Sequence, residues 1–200
     1  MDDLKSYFAR YWPGPESDYP WQKLVDRYRG RAYHNLDHLR QMLTEAANFR
    51  PPEHPAAFAM ALCYHDAIYD PLRRDNELRS AELAYADLTA YWNDRQTQRV
   101  RDLILATRHH RAAPKTPYDI RLLIDLDLSV LARPELDYDE YTKAIRAEYR
   151  WIPDFIYRNG RRRVLEQFLE REPLFTTERG RERYEQAARI NLRWELEELT

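Results

Sequence analysis

Two of the chain's six histidines stand four positions apart in RAYHNLDHLRQM, residues 31–42. If this stretch is helical, His34 and His38 leave one face of the helix a turn apart, and two neutral imidazoles so placed can grip a metal ion. A pair alone is an incomplete site, so other side chains must converge on it.

Three further stretches put polar groups where apolar ones are expected. AAFAMALCYHDAIYD, residues 56–70, is apolar on all sides and carries His65 and Asp66 into or beside the core. There they either cap neighbouring backbone or meet a cation that relieves a buried carboxylate. In VRDLILATRHH, residues 100–110, Val100, Leu103, Ile104 and Thr107 define a buried stripe. His110 lies at its edge and His109 points the other way, which makes His110 the ligand candidate against the plainer role of a histidine at a helix C-terminus. In LLIDLDLSVL, residues 122–131, a helix places Asp127 on the apolar face and Asp125 almost opposite, toward solvent. Asp127 therefore needs an arginine or a cation. Each signal alone has an ordinary structural explanation. Together they offer His38, His65, Asp66, His110 and Asp127, a mixed imidazole and carboxylate set that suits Mn, Fe, Co, Ni or Zn rather than Ca. Two carboxylates among the ligands commonly leave positions open to water, which points to catalysis rather than to a structural ion.

The elements that must position these groups are helices. Helical periodicity predicts segments over about residues 19–28, 34–48, 55–69, 76–91, 95–110, 117–131, 138–149, 161–170 and 181–199. Prolines at 13, 15, 51, 52, 114, 134 and 173 fall between them. No stretch alternates with a period of two, so the expected fold is all-α, and the 200 residues make one domain. The last helix, with Ala188, Leu192, Leu196 and Leu199 on one stripe, is expected to close the bundle. A formal charge of −2 gives no attraction for a nucleic acid polymer or an anionic membrane. The longest apolar run, 56–64, is far short of the roughly 18 residues a spanning helix needs, and the N-terminus lacks the order of a signal peptide. A cytoplasmic protein is expected. The single cysteine, Cys63, lies in that apolar run and reads as a small buried hydrophobe.

The order His, then His-Asp, then a distant Asp on an all-helical chain resembles the HD-domain superfamily of metal-dependent phosphohydrolases, over about residues 30–131. YHNLDH is also similar to the Tyr-His-Asn-x-x-His stretch of the cyclic-nucleotide phosphodiesterases, which share that metal site. HDAIYDPLRRDNELRSAELA and YRNGRRRVLEQFLEREPLF resemble a small bacterial branch of predicted HD phosphohydrolases. The resemblance implies an HD-type helical domain over 1–200, with the metal core at about 30–131 and helices 138–199 completing the bundle. It implies that His38, His65, Asp66 and Asp127 hold one divalent ion and that a second sits near His110, with Mg a further candidate. His34 would donate a proton to the leaving oxygen, and Asp66 would count with it among the catalytic residues. The His-Pro-Gly that follows in the phosphodiesterases is missing, with Tyr69 and Asp70 after Asp66 instead, so a cyclic nucleotide is not implied. The expected partner is a small phosphorylated metabolite or nucleotide. Candidates for contacting it are Asn76, Glu77 and Arg161, the last within the basic cluster Arg158, Arg161, Arg162 and Arg163, whose alternative role is a solvated helix face. Two other functions fit the same ligand pattern: a di-iron HD-type oxygenase, and a non-catalytic binding module stapled by its metal.

Overall fold

A computed structural model describes residues 3–113 and 115–199. Pro114, one of the expected breaks, lies outside the described residues. The fold is all-α: among the described residues there are ten α-helices, α1 Asp3–Tyr11, α2 Trp21–Tyr28, α3 Leu36–Ala46, α4 Pro55–Tyr64, α5 Asn76–Leu88, α6 Asp94–Thr107, α7 Tyr118–Asp127, α8 Glu135–Glu148, α9 Asp154–Leu169 and α10 Glu178–Glu198. No described residue is in a strand, and no helix is long and apolar enough to cross a membrane.

The all-apolar α4 is the centre. Every residue from Ala57 to Tyr64 is buried, because α1, α3, α5, α6 and α7 pack around it. A helix apolar all round has no solvent face to offer, so it can only be an axis on which amphipathic neighbours lay their stripes. Cys63 is buried within it, as expected. The second half of the chain forms a cap: α10 packs on α8, α9 and the 3-10 turn Leu128–Ala132 that continues α7. Tyr138, Asn191 and Glu195 are buried at this junction, Glu195 pairing with Arg161 at 2.6 Å.

Several helix ends differ from the expected ones, each for a local reason. Asn35 is the N-cap of α3, its side chain accepting from the backbone N–H groups of Asp37 and His38, so His34 precedes the helix. Helix α6 stops at Thr107, and His110 turns in the left-handed region at φ 46°. Helix α9 starts seven residues earlier than periodicity suggests, directly after Pro153. Helix α1 has no counterpart in the periodicity analysis; its two buried residues, Leu4 and Phe8, are too few to make a pattern.

Candidate metal centre

Four elements bring the chemistry-bearing side chains together. His38 comes from the first turn of α3, His65 from the residue ending α4, and Asp127 from the last position of α7. One ligand atom from each lies within 4.8 Å of the others, with His38 and His65 buried and Asp127 half-buried. His38 Nε2 is 3.1 Å and His65 Nε2 3.7 Å from Asp127 Oδ1. Asp66 adds a second carboxylate, its Oδ2 3.1 Å from His65 Nε2 and 4.0 Å from His38 Nε2. His110 reaches the other oxygen of Asp127, with Nε2 2.7 Å from Oδ2. Its left-handed turn is held by Arg171, which donates to the carbonyls of His109 and His110 at 3.2 and 2.8 Å. His109 is exposed.

The local chemistry suits a cation. His65 Nδ1 sits 2.9 Å from the Leu62 carbonyl, to which it donates its hydrogen, so the lone pair of the neutral ring is on Nε2. That Nε2 is buried with no hydrogen-bond partner, and it faces two carboxylates. Tyr33 Oη meets His38 Nδ1 at 3.0 Å and orients the second ring with Nε2 toward Asp127. The carboxylates draw positive charge to this point. Burial works against a charged His65, but the negative charges of Asp66 and Asp127 beside it outweigh that and hold its pKa well above the imidazole range. Burial likewise works to raise Asp66, and the His65 charge holds it below the usual carboxylate range instead. Asp127 is held low against its burial by His110, His38 and His65. A proton and a divalent ion therefore compete for one place, as at metal sites generally. Two imidazoles and two carboxylates form the donor set that Mn, Fe, Co, Ni and Zn accept.

His34 is not part of that cluster. Its ring stacks on Tyr69 at 3.9 Å, and its Nδ1 lies 2.6 Å from Glu148 Oε2. The other oxygen of Glu148 accepts from the backbone N–H groups of Tyr33 and His34 at 2.8 and 3.0 Å. Burial alone would raise Glu148, but the hydrogen bond and charge of His34 and the two backbone donors hold it below the usual range. With Nδ1 committed, Nε2 is the nitrogen of His34 left to exchange a proton. Arg31 buttresses the same corner, donating to the carbonyls of His34, Asp66 and Ala67. A cavity of about 270 Å³ reaches His38 past Tyr33, Asn35, Arg133 and Tyr141.

Glu148, Tyr33, Tyr69 and Arg31 were not singled out by sequence reasoning. Glu148 carries no local signal, since its partner is 114 positions away and it stands among the ordinary charges of α8. Tyr33 had a weak one in its place beside the paired histidines.

Other expectations are corrected. Asp125 does not face solvent: it is fully buried, accepting from the backbone N–H groups of Thr176 and Thr177 and from both hydroxyls at 2.6–2.9 Å. Helix α7 is covered on both sides, by α3, α4 and α6 on one and the Thr176–Thr177 turn on the other, so it has no solvent face for a wheel to identify. The basic cluster does not face the centre. Arg161 makes its two-pronged pair with Glu195, while Arg158 and Arg162 donate to the carbonyls of Glu198 and Leu199 at the end of α10. Asn76 is spent on Asp70, bonding both its N–H and its carbonyl. Glu77 lies half-buried in the first turn of α5. Compared with protein-family models, curated proteins and solved structures, the chain matches none.

Proposed function

We propose that the protein is a metal-dependent phosphohydrolase that cleaves a small phosphate ester or nucleotide phosphate. The observation that carries this reading is the division of labour around YHNLDH: His38 converges with His65, Asp66 and Asp127, while His34 is turned away onto Glu148. A divalent transition ion bound among the four would activate water and polarise a phosphoryl oxygen. Asp127, with its two oxygens on His38 and His110, suits a carboxylate shared by two ions. The water oxygen forms the new bond to phosphorus as the bond to the ester oxygen breaks, and His34 Nε2 passes its proton to that departing oxygen. Glu148 keeps the ring in place and its Nδ1 occupied throughout. Arg133, on the cavity that reaches His38, would meet the phosphate by exchanging its present partner Asp137, 3.5 Å away, for a phosphate oxygen.

The test is a screen. Protein stripped of metal and reloaded with Mn, Fe, Co, Ni, Zn or Mg is offered nucleoside mono-, di- and triphosphates and alkyl and aryl phosphates, with phosphate release as readout. Release that requires the ion and vanishes in His65→Ala is expected. No release with any ion, or release indifferent to His65→Ala, overturns the reading. Oxygen uptake by the iron-loaded protein without phosphate release transfers the site to the di-iron oxygenases.

A further inference from the structure

Away from the metal centre, the cavity between the end of α3 and the start of α10 collects guanidinium groups. It measures about 470 Å³, and its charged lining is Arg50, Arg121, Arg179 and Arg181 with one carboxylate, Glu178, beside Tyr118 and Thr177. A chain with a formal charge of −2 has no general excess of cations to scatter, so four on one concavity, brought from three separate stretches, is a local concentration.

Their partners show which of these charges are uncompensated. Arg50 and Arg179 each keep a glutamate, Glu53 at 3.2 Å and Glu182 at 3.4 Å. Arg121 and Arg181 form no ion pair with a described carboxylate. Both instead donate to one carbonyl oxygen, that of Thr176, at 3.3 and 3.2 Å, and Arg121 also donates to Thr116. Two guanidinium groups sharing a single oxygen are held close with like charges facing. Buried carboxylates nearby cannot swing over to neutralise them. Asp119 accepts from the backbone N–H groups of Glu53 and His54, and Asp125 from Thr176 and Thr177. Glu178 is exposed in the first turn of α10.

The groups are also oriented. The Arg50 guanidinium carbon sits over the Tyr118 ring, 3.5 Å from its centroid, and the Tyr118 hydroxyl donates to the Arg50 carbonyl. Arg179 is drawn over by a hydrogen bond to the Asn48 carbonyl. Thr177 begins the 21-residue α10, whose dipole adds positive potential at the same place. Guanidinium groups meeting one concavity from several directions match the oxygens of a phosphate, which each fork can bind two at a time. The volume is that of a small-molecule pocket rather than of an extended groove.

We infer that the cavity formed by Arg50, Arg121, Arg179 and Arg181 is a binding site for a small phosphate-bearing anion, separate from the metal centre. No metal-centre residue lines it, and its occupancy does not depend on the reaction proposed above.

Titration calorimetry of the full chain with inorganic pyrophosphate and inorganic phosphate, at about 0.15 M salt so that long-range attraction is screened, tests the site. Saturable binding is expected, weakened by at least ~10-fold in Arg179→Gln/Arg181→Gln, as loss of charge-assisted hydrogen bonds predicts. These two side chains are exposed, so the fold does not rest on them. Arg121→Gln, checked for an intact unfolding transition, is expected to weaken binding likewise, and His65→Ala to leave it unchanged. Absence of saturable binding, affinity indifferent to the arginine substitutions, or binding that His65→Ala abolishes each overturns the inference. Phosphatidylglycerol vesicles distinguish the source of the phosphate: capture by vesicles without pyrophosphate binding makes the site a lipid-surface contact and overturns a small soluble ligand.

Discussion

His34 and His38 differ by one thing, the atom each ring nitrogen can reach. His38 Nε2 is buried against Asp127, whereas His34 Nδ1 is bound to Glu148. His38→Ala is therefore expected to lose metal, measured by elemental analysis. His34→Ala is expected to keep it and, on the proposed function, to slow turnover by about 10² to 10⁴-fold, less for an aryl phosphate whose leaving group needs no proton. A His34→Ala protein without metal would reverse the two roles. Glu148 gives a pH signature of its own. Its folded pKa lies below the ordinary 4.5, so its contribution is present above that value and is lost as pH falls through the lower folded one. Glu148→Gln is expected to cost about 2 kcal/mol at pH 7, the worth of hydrogen bonds to a charged group. In denaturant unfolding the gap to the unsubstituted protein should close as pH falls below about 4.5, and a gap that widens toward acid would contradict the sign.

At the scale of elements, α7 does two jobs with carboxylates two residues apart. Asp127 at its end faces the metal centre, and Asp125 anchors the turn that starts α10. Asp125→Ala leaves the Thr176 and Thr177 N–H groups without their acceptor and is expected to lower stability by about 2–5 kcal/mol. The anchor requires Gly180, where a Cβ would meet Asp125 Oδ2 at 2.2 Å and cannot push aside a carboxylate held by four hydrogen bonds. Gly180→Ala is thus destabilising alone, yet with Asp125→Ala the collision partner is gone. Thermal or urea unfolding of the two single variants and the double one should show a combined loss smaller than the separate losses added together. Strict additivity would mean that the two sites do not touch.

At the scale of the molecule, the candidate metal centre joins four segments far apart in the sequence: the start of α3, the end of α4, the end of α7 and the turn after α6. An ion that binds only this folded arrangement stabilises all of it, by about 2.7 kcal/mol at a hundred times its dissociation constant. The unfolding temperature should rise with added transition metal and fall with chelator, and indifference to both would remove the ion from the cluster.

The residue types were legible because burial is written into composition. A helix apolar all round, α4, announces that whatever follows it is carried inward, and His65 and Asp66 are beside the centre for that reason. A carboxylate on an apolar stripe likewise pointed to Asp127. What sequence could not contain was the second coverage of α7. A helical wheel assumes one buried face, and the Thr176–Thr177 turn, more than fifty positions away, buries the other and takes Asp125 with it. Glu148 on His34 and the four arginines around the α10 start share that origin. Local sequence sets which groups must leave water and which helix carries them; which distant groups meet them depends on how the helices pack, since a surface charge and a buried partner look alike until the chain folds back.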